Sequence, residues 1–194
     1  MAGRRHDQDG ESPALLRFLD VALVRGGRLL FENLNLAVRP GDALHVAGPN
    51  GSGKSSLLRL AAGLLPSSAG EVERSAVALA DDSLALDREL PLARALAFWG
   101  GSIAPAMDAL GIAHLSAVPV RLLSSGQQKR ASLARVAASS APLWLLDEPL
   151  NALDAEGAER LADFIQRHRN AGGAIVAASH QPLPGEWRVL EIGQ

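Results

Sequence analysis

One nine-residue stretch constrains this chain more than any other: Gly48-Pro49-Asn50-Gly51-Ser52-Gly53-Lys54-Ser55-Ser56. It fits G-x-x-x-x-G-K-[ST], the pattern of a phosphate-binding P-loop. The apolar run from Ala43 to Ala47 precedes it and reads as a buried strand, and Leu57-Leu58-Arg59-Leu60-Ala61-Ala62 follows and reads as a helix. That strand–loop–helix context separates a P-loop from a glycine-rich turn with a chance lysine. Glycines at 48, 51 and 53 let the backbone curl around a phosphate with its N–H groups pointing inward. The positive end of the new helix faces the same anion. Lys54 is spaced to reach β- and γ-phosphates, and the Ser55 hydroxyl to hold Mg²⁺. Composition sharpens the point. The chain uses 17 Arg but only two Lys, Lys54 and Lys129, so a lysine here is not a random cation.

The bulk numbers exclude several classes. The 194 residues, 47% of them hydrophobic, suffice for one domain with a small inserted lobe. A net charge of -2 offers no global field for nucleic acid. The absence of cysteine removes disulfides, thiolate metal sites and a thiol nucleophile. No apolar run approaches the roughly 20 residues that span a bilayer. The stretch from Met1 to Glu11 is polar and lacks the apolar segment of a secretion signal. Residues 1–12 are expected to form a mobile tail, and the chain to be soluble, meeting a membrane only through a partner.

Along the chain, Leu15 to Val24 and Leu29 to Val38 read as strands joined by a Gly26-Gly27 hairpin turn. Glu71 to Ala80 adds one or two short strands. Leu92 to Phe98 and Ile103 to Leu110 read as short helices, and 88–116 as a small helical lobe inserted into a core of 13–87 and 117–194. A helix runs from Gly126 to about Ser139, and another from Ala155 to Asn170, ended by Gly172-Gly173. Leu143 to Leu146, Ala174 to Ala178 and Trp187 to Ile192 complete the strands. Apolar strands alternating with helices predict an α/β fold with a mainly parallel sheet.

A P-loop alone fits kinases, GTPases and many ATPases, so further motifs have to decide. Leu143-Trp144-Leu145-Leu146-Asp147-Glu148-Pro149 is a buried strand ending in two acids, the Walker B pattern. Asp147 would serve the Mg²⁺ shell, and Glu148 would orient or deprotonate an attacking water. Leu123-Ser124-Ser125-Gly126-Gln127-Gln128 resembles the LSGGQ signature of the ABC ATPase family, with Ser125 in place of the first glycine. Ser124 also fits a plain helix N-cap, and the two readings coexist because the signature needs a helix N-terminus aimed at phosphate. Asn151-Ala152-Leu153-Asp154 resembles the family's D-loop, and equally fits a capped turn before a helix. Ser179-His180-Gln181-Pro182 resembles its switch-histidine segment.

The resemblance runs from about Leu15 to Gln194. It implies a P-loop NTPase fold of the ABC nucleotide-binding type, with an antiparallel β subdomain and a small helical lobe. It implies ATP and Mg²⁺ as ligands. Residues 48–56 (Gly48, Pro49, Asn50, Gly51, Ser52, Gly53, Lys54, Ser55 and Ser56) would bind nucleotide, with Ser55 and Asp147 on the metal and Glu148 and His180 at the reacting phosphate. Ser124, Ser125, Gly126, Gln127 and Asp154 would close the site from a second copy in a head-to-tail homodimer. Two departures stand out. The family's adenine-stacking aromatic is absent, and Arg25, whose guanidinium can stack on a base, lies at about its place. The glutamine that precedes the helical lobe is also absent, with Asp82 or Ser83 nearest.

Several stretches narrow the resemblance further, to the ATP-binding subunits of the bacterial cytochrome c biogenesis system. They are Val24-Arg25-Gly26-Gly27-Arg28-Leu29-Leu30-Phe31, the non-glycine signature residue, Leu96-Ala97-Phe98-Trp99 and His180-Gln181-Pro182-Leu183. That likeness implies ATP hydrolysis on the cytoplasmic face of the bacterial inner membrane, peripheral to an integral membrane subunit. ATP turnover there is linked to haem export or to release of a haem-loaded chaperone. No direct haem binding is expected, since the five histidines are scattered. No nucleic-acid partner is expected either, because tandem cassettes, inserted arms and basic surface are missing. The alternatives are the ATPase of another small ABC exporter, or a catalytically weak nucleotide-binding module.

Overall fold

The computed structural model describes residues 13–193, so the tail expected at 1–12 lies outside the described residues. The chain opens with β1 (Leu16–Arg25) and β2 (Arg28–Val38), paired antiparallel through the turn Gly26-Gly27. Both glycines hold positive φ, 58° and 76°, as a two-residue turn matching the strand twist requires. Next come β3 (Ala43–Ala47), the P-loop and α1 (Lys54–Ala61). Then β4 (Ala69–Arg74) returns to the free side of β1, giving a three-stranded antiparallel sheet in the order β2-β1-β4.

The rest builds the second sheet and the lobe. β5 (Val77–Ala80) precedes the lobe helices α2 (Leu92–Ala97) and α3 (Ile103–Ala109), and two 3₁₀ turns lead to α4 (Ser125–Ala138). β6 (Leu143–Asp147), α5 (Ala155–Asn170), β7 (Ala174–Ala178) and β8 (Arg188–Glu191) follow. The five strands pair in the order β5-β6-β7-β3-β8, every pair parallel. All five residues of β6 and all five of β7 are buried, as an unbroken apolar run in a parallel sheet covered on both faces requires.

Strand alternation divides the core. Leu143 and Leu145 point to the side that holds α1 and the antiparallel sheet, with Leu57, Leu58, Phe18 and Leu16. Trp144 and Leu146 point to the other side, with Leu161 and Ile165 of α5 and Ala131 and Ala134 of α4. The lobe joins that second cluster through Leu92, Leu96, Met107 and Leu110. It is tied to α4 at Gly101, where an added Cβ would run into the Ala138 carbonyl.

This order places the chemistry. β7 lies between β3 and β6. The P-loop after β3, the acidic pair at the end of β6 and the Ser179-His180 segment after β7 therefore leave one edge of the sheet side by side. That edge is the carboxyl end of the strands, where open α/β sheets bind ligands.

Candidate nucleotide site

The P-loop glycines take the conformations their spacing demands. Gly48, Gly51 and Gly53 hold φ of 151°, 80° and 105°. At Gly48 a Cβ would strike the carbonyl of Ile192, the residue after β8, so only glycine fits there. Lys54 is 7% exposed, and its ammonium donates to the carbonyls of Gly48 at 2.7 Å and Pro49 at 3.1 Å. The lysine thus lies folded along the loop it serves. Ser52 is buried in the loop, where its N–H donates to the Pro49 carbonyl at 3.2 Å.

Asp147 ends β6 at 3% exposure. Burial pushes its carboxyl pKa up, and a hydrogen bond from the Ser55 side chain opposes that shift. Its Oδ1 is buried without a hydrogen-bond partner. An orphaned carboxylate oxygen beside a serine hydroxyl is a hard-oxygen pair of the kind Mg²⁺ uses with phosphate and water. The residues present therefore fit the metal that the motifs imply.

Glu148 follows with φ 45°, a left-handed backbone uncommon for a residue with a side chain. Such a conformation costs on the order of 1–3 kcal/mol and concentrates at functional sites. Its carboxylate meets Nδ1 of His180 at 2.8 Å, and Nε2 of His180 lies 3.2 Å from the Gln181 amide nitrogen. A groove of about 530 Å³ collects Arg25, Asn50, Lys54, Ser55 and Glu148 along its walls, and Ser56 as well. Arg25 donates to the Ser56 hydroxyl at 3.1 Å.

The signature and D-loop residues lie elsewhere. Ser124 caps α4 in a reciprocal box. Its hydroxyl accepts from the Gln127 N–H at 3.3 Å, while the Gln127 side chain accepts from the Ser124 N–H at 2.9 Å. Gly126 packs so closely under the D-loop that a Cβ would press on the Ala152 carbonyl. Asp154 caps α5, accepting from the Gly157 N–H at 2.9 Å, and pairs with Arg130. Ser124, Gly126, Gln127 and Asp154 border a second groove of about 470 Å³, and Ser125 a third of about 310 Å³. Within one chain, then, the structure brings Arg25, Lys54, Ser55 and Glu148 to one groove and the signature to others.

A family model described as ABC transporter matches residues 31–151. The cytochrome c biogenesis ATP-binding export protein CcmA of Sphingopyxis alaskensis is 53% identical over 177 residues, covering 87% of this chain and 91% of that one. The protein of the same name in Novosphingobium aromaticivorans is 57% identical over 168 residues, covering 84% and 87%. The chain belongs to the ABC transporter family, among its CcmA-type ATP-binding proteins. Solved ABC folds agree. An ABC transporter ATP-binding protein from Pyrococcus furiosus superposes with a TM-score of 0.80 at 19% identity, over 91% of this chain and 96% of that one. A dimeric ATP-binding cassette bound to ADP and Pi gives 0.74 at 21% identity, over 86% and 88%.

The structure adds three features to what the sequence offered. Arg28 and Leu30 line the nucleotide groove beside Arg25, brought there by the hairpin register. Asp82 is close enough to act on both Asp147 and Lys129, whereas Ser83 lines a different groove with Trp99 and Arg135. Lys129 reaches from α4 to the end of β6. Its only sequence signal was its rarity in an arginine-rich ABC chain.

Proposed function

We propose that this chain is the ATP-hydrolysing subunit of a membrane ABC complex required for c-type cytochrome maturation, acting in haem export or release of a haem-loaded chaperone. The observation that carries the reading is Glu148. It directly follows β6, hydrogen-bonds His180 and lines the same groove as Lys54 and Ser55.

The mechanism follows from those residues. The P-loop N–H groups receive the phosphates, and Lys54 exchanges the carbonyls of Gly48 and Pro49 for phosphate oxygens. Glu148 orients the attacking water and accepts its proton. His180 holds the glutamate through Nδ1 and answers to the γ-phosphate. Ser55 and Asp147 would hold Mg²⁺, which when bound would supply positive charge to the phosphates. Arg25 stacks on or flanks the adenine. A second copy of the chain supplies Ser124, Ser125, Gly126 and Gln127 to the γ-phosphate, with its Asp154 fixing the D-loop, so two sites form in a homodimer. The separation of the two sets of residues within one chain supports that pairing.

The helical lobe contacts an integral membrane subunit. Phe98 and Leu64 are exposed, and Trp99 borders a largely apolar groove of about 480 Å³. Among the described residues no helix is long and apolar enough to cross a membrane. That fits a peripheral place on the cytoplasmic face of the bacterial inner membrane. A direct haem contact is not part of the reading. His45 is buried against the Ser179 carbonyl, His168 is stacked on Trp144, and His180 is engaged by Glu148.

A second reading, a weak ATPase that mainly binds nucleotide, is favoured by the missing glutamine before the lobe, where the nearby acid Asp82 acts on Asp147 instead. Haem staining of c-type cytochromes decides first. Deletion of the gene should abolish them, with rescue by wild type and none by Lys54→Ala. Normal cytochromes in the deletion strain, with no second copy present, would remove the maturation role. ATP turnover by the assembled complex then separates the two readings, since a weak module gives none.

A further inference from the structure

Lys129 takes no part in the chemistry above, yet it touches the catalytic strand. It lies in the second turn of α4, and its ammonium donates to the main-chain carbonyl of Asp147 at 2.9 Å. That carbonyl belongs to the peptide joining Asp147 to Glu148. The N–H of the same peptide donates to the Ala178 carbonyl of β7 at 2.8 Å. One peptide plane is therefore held on both edges, by α4 and by β7. The next torsion along the chain is the φ of Glu148, 45°. A side-chain-bearing residue stays in such a conformation only where its surroundings over-determine it.

The charges around the ammonium favour the same placement. Asp81, Asp82, Asp147 and Glu148 all attract it, and Asp81 is itself shared with Arg59 at 3.6 Å. Against the desolvation that partial burial imposes, the ammonium is held where the Asp147 carbonyl and these carboxylates converge.

We infer that Lys129 is a positioning residue for hydrolysis: by holding the Asp147–Glu148 peptide from α4, it sets the left-handed backbone of Glu148 and so aims that carboxylate into the groove with Lys54 and Ser55. The inference rests on the reading of Glu148 as the water-activating group. It has a consequence for the dimer. The helix whose first turn serves the partner copy's nucleotide also holds the base of its own chain, so α4 links the two sites.

The test compares wild type, K129M, K129R, E148Q and K129M/E148Q, each in the membrane complex purified through a tag on this chain. K129M should lower kcat by about tenfold or more while KM and the Kd for ATP stay within about twofold. K129R still reaches the carbonyl and should recover most of the rate. The double variant should be no slower than E148Q, because both changes act through one group. A wild-type kcat in K129M beside an inactive E148Q would overturn this inference and leave the glutamate reading standing. So would a double variant slowed further by the K129M factor, or a K129M defect confined to ATP affinity. An E148Q protein with full turnover would overturn the glutamate reading and this inference together. If K129M fails to melt cooperatively, K129Q, polar and shorter in reach, faces the same outcomes.

Discussion

Glu148 and Lys54 share a groove, the proposed mechanism gives them different steps, and single substitutions should separate them. Glu148→Gln keeps the shape and removes the base. Turnover should fall by about 100-fold or more while ATP still binds, checked by phosphate release beside equilibrium binding. Lys54→Ala removes a charge-assisted contact to phosphate and should weaken ATP binding itself by about tenfold or more. Two adjacent glycines give a sharper test of packing. Gly100 has φ 74° with open space around it, whereas at Gly101, φ 80°, a Cβ would collide with the Ala138 carbonyl at the end of α4. Gly100→Ala should cost about 1 kcal/mol, the penalty of a left-handed backbone. Gly101→Ala adds a backbone clash and should cost at least about 3 kcal/mol, of the size that severe overpacking brings, in urea unfolding. Equal losses at the two positions would mean that the contact between lobe and α4 is slack.

Elements were legible in this sequence where one residue pattern met one constraint. β7, Ala174–Ala178, and α5, Ala155–Asn170, fall on the residues expected, because a fully buried strand and a capped, glycine-ended helix each leave a local trace. The P-loop was legible for the same reason. Legibility failed where a role depends on what tertiary packing brings near. Asp82 and Ser83 are neighbours in sequence, yet Asp82 acts by charge on Asp147 and borders a groove with Ser125 and Lys129, whereas Ser83 lines a different groove with Trp99. Asp154 caps α5 through the Gly157 N–H, as the capped-turn reading expected, while its ion pair with Arg130 of α4 left no trace in the sequence. The seat of α5 on β6 was equally hidden. Phe164, Trp144 and His168 stack in series, with centroids 4.9 Å and 3.7 Å apart. Burial holds the His168 pKa below its ordinary 6.5, although hydrogen bonds to the backbone oppose the shift. The unfolded chain then takes up a proton that the folded chain refuses. Stability should therefore be full above about pH 6.5 and fall as the pH drops below it. His168→Phe retains a ring in the stack and removes the titration. Its urea midpoint should change less between pH 7.5 and 5.5 than that of wild type.

For the whole molecule, the separation of the nucleotide groove from the signature makes a dimer prediction that is independent of rate. Ser125 is exposed at the first turn of α4, so Ser125→Glu leaves the helix intact and places negative charge where a partner's phosphate would sit. Lys54→Ala and Ser125→Glu chains should each be inactive alone. Mixed in one complex, they rebuild a single intact site, from the P-loop of one chain and the signature of the other. ATPase activity should return to a sizeable fraction of wild type in the mixture. No recovery would mean that both motifs serve the same chain's nucleotide.

The lobe also carries its own optical probe. The chain has three tryptophans and no tyrosine, so its near-ultraviolet emission is tryptophan emission alone. Trp144 is buried in the ring stack, while Trp99 stands half-exposed on the lobe, edge-on to Phe98, with the Arg135 guanidinium 4.7 Å above its ring. With Trp144 and Trp187 changed to phenylalanine, the remaining emission of the protein would come from the one indole on the face proposed to meet the membrane subunit. Docking there would dry that indole and shift its emission to the blue, so coupling between ATP and the membrane could be followed in real time without a dye.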